Sequence, residues 1–368
     1  VETFAYVGTF TAGFVGGGGF AGLPPGEGIY VLRLDTASGA MEKVQTVTGL
    51  DTPSYLAVHP TLPVLYAVER EWSPDERTTG ALTTFAIDER SGQLTQIARD
   101  RSGGNWPAHV SVHPSGRFAL VANPRGATIA CFPLGPDGRP GPIASTARHE
   151  GRGPNVRQPA AYAHSVWPDL SGKWALACDL GIDRVMIYRL DEATGQLTPG
   201  EQPFAQVSSG AGTRHLAFHP SNRLVYVVNE LDSTLSVFRF DPEKGVMEIV
   251  QTVYSPPEDF QGQNHGAHAV VHESGNYVYV ANRGHDSLSI FAIDQATGKV
   301  RLVRHQDTLG GRPRNFNVDP SHQLLLAANQ HGPNVTSFRI AEGGRDLVPT
   351  GHSVEVYCPV CVVFRRAG

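Results

Sequence analysis

The sequence predicts an all-β protein: a seven-bladed β-propeller of four-stranded antiparallel blades, forming a single domain over residues 1–368. Two observations carry this. One strand-turn-strand pattern occurs six times, and the two chain ends supply complementary pieces of a seventh copy.

The six copies begin at Tyr55–Pro60, His109–Pro114, Ser165–Leu170, His215–Pro220, His268–Glu273 and Asn315–Pro320. A short turn follows each, such as Ser115-Gly116 or Ser274-Gly275. A second apolar strand comes next, at Leu65–Val68, Phe118–Ala122, Trp174–Ala177, Leu224–Val228, Tyr277–Ala281 and Leu324–Ala328. A third strand alternates in polarity, as in Leu235–Phe240 and Leu288–Ile293, and a turn such as Thr194-Gly195 or Thr297-Gly298 introduces the fourth. Alternation with period two, punctuated by turn residues at fixed offsets, is the mark of strands. The last residues of the six opening segments lie 47 to 56 positions apart, the length of one propeller blade.

The N-terminus reads as second and third strands without a first, at Phe4–Phe10 and Gly28–Asp35, and Cys358–Phe364 reads as a lone first strand. Pairing them closes the ring and removes an exposed sheet edge. Thr11–Glu27, with glycines at Gly16 to Gly19, becomes a loop inside that blade. No helix follows these glycines, so a phosphate cradle of the helix-terminus kind is disfavoured.

Composition narrows the function. The net charge is -5 and no basic tract occurs, which argues against nucleic acid as a partner. No run of 18 apolar residues is present, so no membrane span is expected. Cys131, Cys178, Cys358 and Cys361 are the only cysteines; the last two form a single CxxC with no companion, which favours packed strand thiols over a metal site. No leader pattern is visible, and a cytoplasmic location is expected. Oligomeric state is left open.

Aligning the six copies separates structural from functional positions. Nine residues past the end of each opening segment stand Glu69, Asn123, Asp179, Asn229, Asn282 and Asn329. Recurrence of a short polar group favours bonding at a strand end. His59, His113, His219 and His272 recur at the opposite end and read as structural too. The sixth residue before the segment end varies: Ser54, Ala108, His164, Arg214, Ala267, Arg314. So does the tenth after it: Arg70, Pro124, Leu180, Glu230, Arg283, Gln330. These two positions are expected to meet at one end of each inner hairpin, around the channel mouth. Variation on one face of a repeat is where a site is built. Singly, Arg214 with Glu230 reads as a salt bridge and His164 as a satisfied histidine; convergence of His164, Arg214, Glu230 and Arg283 favours a site. Arg314, Gln330, His268, His265 and Asn229 are candidate substrate contacts, while Glu69 and Arg70 read as an ordinary charged strand end.

Tyr6–Thr9, Ala163–Val166, Gly212–Pro220, Val227–Leu231, Ala281–Arg283 and Pro313–Phe316 together resemble the seven-bladed lactonase family, over almost the whole chain. That family includes propeller-type 6-phosphogluconolactonases and carboxy-muconate lactonizing enzymes. The resemblance implies a channel-mouth site with a His, an Arg, a Glu and a second Arg, which fall on His164, Arg214, Glu230 and Arg283. The missing charges at Ala267 and Leu180 mark a reshaped pocket. The implied activity is hydrolysis of a small anionic sugar lactone such as 6-phosphogluconolactone, with no metal and no cofactor. Either His164 or Glu230 would activate water, Arg214 or Arg283 would hold the oxyanion, and Arg283 with Arg314 would grip a phosphate or carboxylate. The alternatives are a carboxy-cis,cis-muconate cyclase using the same residues, and a non-catalytic binding scaffold, which the charges at the channel mouth disfavour.

Overall fold

In the computed structural model, which describes residues 2–12, 22–70 and 80–367, the chain forms seven four-stranded antiparallel sheets. Six of them are built from consecutive strands; the blade opening at Thr213–Phe218, for instance, continues through Leu224–Asn229, Thr234–Asp241 and Val246–Tyr254. The seventh joins Pro359–Arg366 to Thr3–Thr9, then Ile29–Leu34 and Met41–Val47. The ring therefore closes as the chain ends predict. Gly16 to Gly19 lie outside the described residues.

Each strand alternates side chains between its two faces, and in a propeller both faces of a blade pack on neighbouring blades. The core accordingly lies between sheets. Trp174, Leu176 and Cys178 of one blade pack with Leu216, Val227 and Phe238 of the next. All four cysteines are buried and unpaired. Three of the four repeated histidines latch one blade to the next, while His272 bonds Ser274 of its own turn. His59, His113 and His219 bond the carbonyls of Gly116, Gly172 and Gly275, each in the following blade's turn, at 2.9, 2.8 and 3.0 Å. Where the repeat carries Asp169 or Asp319 instead, the carboxylate turns back and accepts the backbone N–H of Trp174 or Leu324.

The repeated polar group nine past the segment end is also structural. Asn229 donates to Thr234 and Ser236, Asn282 to Ser287 and Ser289, and Asn329 to Asn334 and Thr336. Each ties the end of the second strand to the third.

The register differs from simple pairing in one respect. Thr213 pairs with Asn229 and His215 with Val228, so Arg214 occupies a β-bulge, and Glu230 bonds back to the carbonyl of Gly212. His164 and Arg314 lie in the same bulge of their own blades. The tenth residue after the segment end is thus opposite the eighth before it, as His265 opposite Arg283 shows. The extra residue bends the strand and re-aims its side chain, which carries Arg214 to Glu230 despite the offset.

Candidate active site

Beside these bulges, a cavity of about 450 Å³ is lined by His164, Glu230, Arg283, His265 and Arg314. Arg70, Trp106, Arg157, Tyr162 and Arg312 complete much of its wall. Arg70 is thus a cavity residue rather than an ordinary strand end, while its neighbour Glu69 is fully buried and accepts from Asp51 N and Thr83 Oγ1. Arg214 lies immediately behind the wall.

Glu230 organises the cations. Its Oε2 accepts from Arg214 Nε at 2.9 Å and is ion-paired with Arg283 Nη2 at 2.8 Å, and its Oε1 accepts from Arg157 Nη2 at 2.6 Å. Arg214 and Arg283 are each 3% exposed at the side chain, so they need this counter-charge; Arg157 is 47% exposed and comes from the irregular segment before Ala163. Burial by itself would raise the Glu230 carboxyl, but Arg283, Arg214 and Arg157 hold it well below the usual carboxylate range. Arg214 also donates to the carbonyl of Ala267, and Arg283 Nη2 to that of Gly266 at 3.1 Å. Arg283 Nε is buried with no partner, as is Arg312 Nε.

The imidazole of His164 is pushed well below its ordinary value by burial and then by Arg214. It is neutral at physiological pH. Its Nδ1 is buried without a partner. His265, at the cavity rim, is lowered by burial and then by Arg283.

The irregular segment carrying Arg157 is pinned at both ends. His149 Nδ1 meets Asp179 Oδ2 at 2.6 Å, and Asp179 also accepts from Tyr162 N at 2.7 Å. Gln158 Nε2 donates to Asp183 Oδ1 at 2.6 Å and to the Leu180 carbonyl at 2.8 Å. Asp183 in turn accepts from the backbone of Gly210 and Gly212, just ahead of Arg214. One carboxylate therefore fixes the approaches of both Arg157 and Arg214. Trp106 stands at the rim with φ 62, a left-handed backbone that a bulky residue rarely adopts.

The structure does not bring every candidate to the cavity. Asn229 spends its amide N–H groups on Thr234 and Ser236. His268 lies deeper in the channel, where its Nδ1 meets His215 Nδ1 at 2.9 Å, and it lines a second cavity with Tyr55 and Trp167. The register of its strand shifts between Gly266 and Ala269, so His268 lies within the irregular stretch, where successive residues turn to different depths. Gln330 stands behind Arg314, accepting from its Nη1 at 3.3 Å. A larger groove of about 680 Å³ runs between outer strands past Arg223, Arg239 and Glu248, where the Arg239–Glu248 pair is solvent-exposed. Among the described residues, no three His, Cys, Asp or Glu side chains are grouped to hold a metal ion.

The profile of the family described as Lactonase, 7-bladed beta-propeller, matches residues 4–364. The chain belongs to this family. A 6-phosphogluconolactonase of Bacillus subtilis (strain 168) is 35% identical to this lactonase over 362 residues, covering 98% of the present chain and 97% of that relative. A 6-phosphogluconolactonase of Pectobacterium carotovorum is 32% identical over 89% of the chain and 92% of the relative. Among solved structures, a periplasmic gluconolactonase of Pseudomonas aeruginosa superposes with a TM-score of 0.89 at 29% identity, covering 100% of both chains. The lactonase is thus a hydrolase of cyclic esters. No helix among its described residues is long and apolar enough to cross a membrane.

Arg157, Arg312, Trp106 and Tyr162 of the lactonase were not singled out in sequence. Trp106, Tyr162 and Arg312 stand eight residues before their segment ends, in line with His265 and two positions before those taken to face the cavity, while Arg157 lies in an irregular segment where the surplus of arginine over lysine makes a lone Arg uninformative.

Proposed function

We propose that this lactonase opens a small anionic sugar lactone in the channel-mouth cavity without a metal ion, with 6-phosphogluconolactone the leading substrate. The observation that carries the proposal is a neutral imidazole, His164, sharing one cavity with guanidiniums fastened around Glu230. The names of the Bacillus and Pectobacterium relatives support the phosphorylated substrate.

Glu230 is a poor base, because a carboxylate ion-paired with three guanidiniums has little affinity left for a proton. Its role on this reading is to orient Arg214 and Arg283. His164 takes the proton of the attacking water as the water oxygen bonds to the lactone carbonyl carbon. The unpartnered Nε of Arg283 supports a role for this residue in holding the developing oxyanion. As the ring C–O bond breaks, the alkoxide takes the proton back from His164. Burial and Arg214 disfavour the imidazolium, so the proton passes readily to the alkoxide, while its abstraction from water relies on the oxyanion charge held by Arg283 as the new bond forms.

A panel of lactones followed by pH-stat, run beside carboxy-muconate absorbance, tests the reading. Acid release from sugar lactones is expected. Turnover of carboxy-muconate alone points to the cyclase, and no turnover of any substrate to a scaffold; either result overturns the proposal. Four buried, unpaired thiols fit a reducing compartment and support a cytoplasmic location.

A further inference from the structure

The second cavity, also about 450 Å³ in volume, has no role in the reaction proposed above. It lies on the axis of the ring: the opening strand of each of the seven blades supplies a wall residue, among them Val363 of Pro359–Arg366 and Phe218 of Thr213–Phe218. Trp167 and Phe218 stand further along their strands than His164 and Arg214, so this cavity lies past the arginine-lined one. His215 bridges the two, its ring centre 5.2 Å from that of His164 and 5.1 Å from that of His268.

The walls are apolar. Leu56, Val110 and Leu216 are buried residues of the lining, Trp167 and Phe218 add half-buried aromatic rings, and no charged side chain lines the cavity among the described residues. Most polar groups there are already used. Ser111 Oγ donates to the Val166 carbonyl at 2.8 Å, Trp167 Nε1 to Ser165 Oγ at 2.9 Å and Asn317 Nδ2 to the Val362 carbonyl at 3.4 Å. His268 is the exception. It is 4% exposed, its Nδ1 meets His215, and its Nε2 has no hydrogen-bond partner among the described residues. The Nε2 of His215 is sealed in the interior without a partner, whereas that of His268 opens on the cavity.

That asymmetry fixes the proton. Burial and Arg214 keep both imidazoles neutral at physiological pH, so one proton lies between the two Nδ1 atoms. A buried N–H left unbonded is rarer and costlier than a bare ring nitrogen. His215 therefore leaves Nε2 bare and donates from Nδ1, and His268, accepting at Nδ1, carries its own proton on Nε2. The cavity thus offers one N–H donor between apolar walls.

We propose that this axial cavity binds a small uncharged molecule with a flat apolar body and a single carbonyl, the carbonyl oxygen accepting from His268 Nε2 and the body lying against Trp167 and Phe218. Charge complementarity decides the class. With no charged wall, an ion would be buried unpaired. The positive charge of Arg214 reaches the His268 ring and favours the negative end of a carbonyl dipole there. A sugar lactone would leave its hydroxyls unbonded against Leu and Val side chains, so this site is distinct from the one that takes the substrate.

Acetophenone is the probe, with toluene as its counterpart lacking the acceptor. Calorimetric titration of the wild type at pH 7.5 is expected to show one saturable site for acetophenone, about 3- to 10-fold tighter than for toluene, the effect of one neutral hydrogen bond. His268→Phe keeps a ring against Trp167 and Phe316 and removes the N–H, so it should erase that preference; Phe218→Ala removes part of the wall and should weaken both probes. Circular dichroism confirms folding, and Phe218→Ala decides alone if His268→Phe does not fold. Absence of acetophenone binding to the wild type, a preference that survives His268→Phe, or affinities unchanged in Phe218→Ala would each overturn the site. Tighter binding of benzoate than of acetophenone, lost in His268→Phe, overturns its uncharged class.

Discussion

Replacing Glu230 by Gln keeps the shape of the side chain and removes its charge. Arg214 and Arg283, each 3% exposed, would then face one another without a carboxylate between them. Removing one partner of a buried ion pair costs about 3–5 kcal/mol, because the remaining charge stays desolvated. The unfolding entropy of roughly 2.1 cal/mol/K per residue scales to about 0.8 kcal/mol/K for a chain of this length, so Tm should fall by roughly 4–6 °C. Scanning calorimetry at pH 7.5 in phosphate-free buffer reads this directly. Arg157→Gln supplies the control: its side chain is 47% exposed, and its loss should cost under about 1 kcal/mol. A Glu230→Gln protein melting within about 1 °C of the wild type would refute the claim that this carboxylate holds the buried cations in place.

Further outcomes are expected. His164→Gln should lower kcat for lactone opening by about 10²- to 10⁴-fold while Tm moves little, read by pH-stat and thermal melts; equal turnover removes His164 as the base. Gln158→Ala frees the segment bearing Arg157 and leaves Asp183 short of one donor, so KM should rise and stability fall by about 1–3 kcal/mol, checked by urea titration. Acid should weaken the ring. Burial depresses His109, His164, His215 and His268, the last to about 3, whereas unfolded histidines titrate near 6.5. The unfolded chain therefore takes up protons first as pH falls. Stability is intact above about pH 6.5, and at pH 5 His268 costs about 2 kcal/mol, a loss that continues down to its folded value near 3; His109, His164 and His215 act in the same direction. An unchanged urea midpoint between pH 7 and pH 5 would contradict this.

The blade repeat was legible because period-two alternation and turn residues leave a direct trace in sequence. The closing blade was legible because Phe4–Phe10, Gly28–Asp35 and Cys358–Phe364 each lack what the others hold. Alignment of the copies also drew attention to His164, Arg214, Glu230 and Arg283, although it paired the wrong backbone positions. A β-bulge adds one residue to one strand, and nothing in the alternation of Thr213 to Phe218 marks where that residue goes. The same bulges decide that Arg314 reaches the cavity while His268 sinks into the channel. Arg157 and Arg312 escaped notice for different reasons. Arg312 stands eight before its segment end, in line with His265, and was passed over because the alignment took the sixth position as the one facing the cavity; Arg157 lies in an irregular segment with no counterpart in other blades, and only the folded path through Gln158 and Asp183 brings it to the cavity wall.

The seventh sheet joins strands from opposite ends of the chain, Thr3–Thr9 to Pro359–Arg366. Its contacts span nearly the whole polypeptide, so their loop-closure cost is met last, after the contiguous blades have formed. Phe10 N–H adds a hydrogen bond to the Cys358 carbonyl across this seam. The seam is held by pairing alone, with no loop joining its two strands, so weakening the Thr3–Thr9 to Pro359–Arg366 register would spring the toroid open before any contiguous blade came apart.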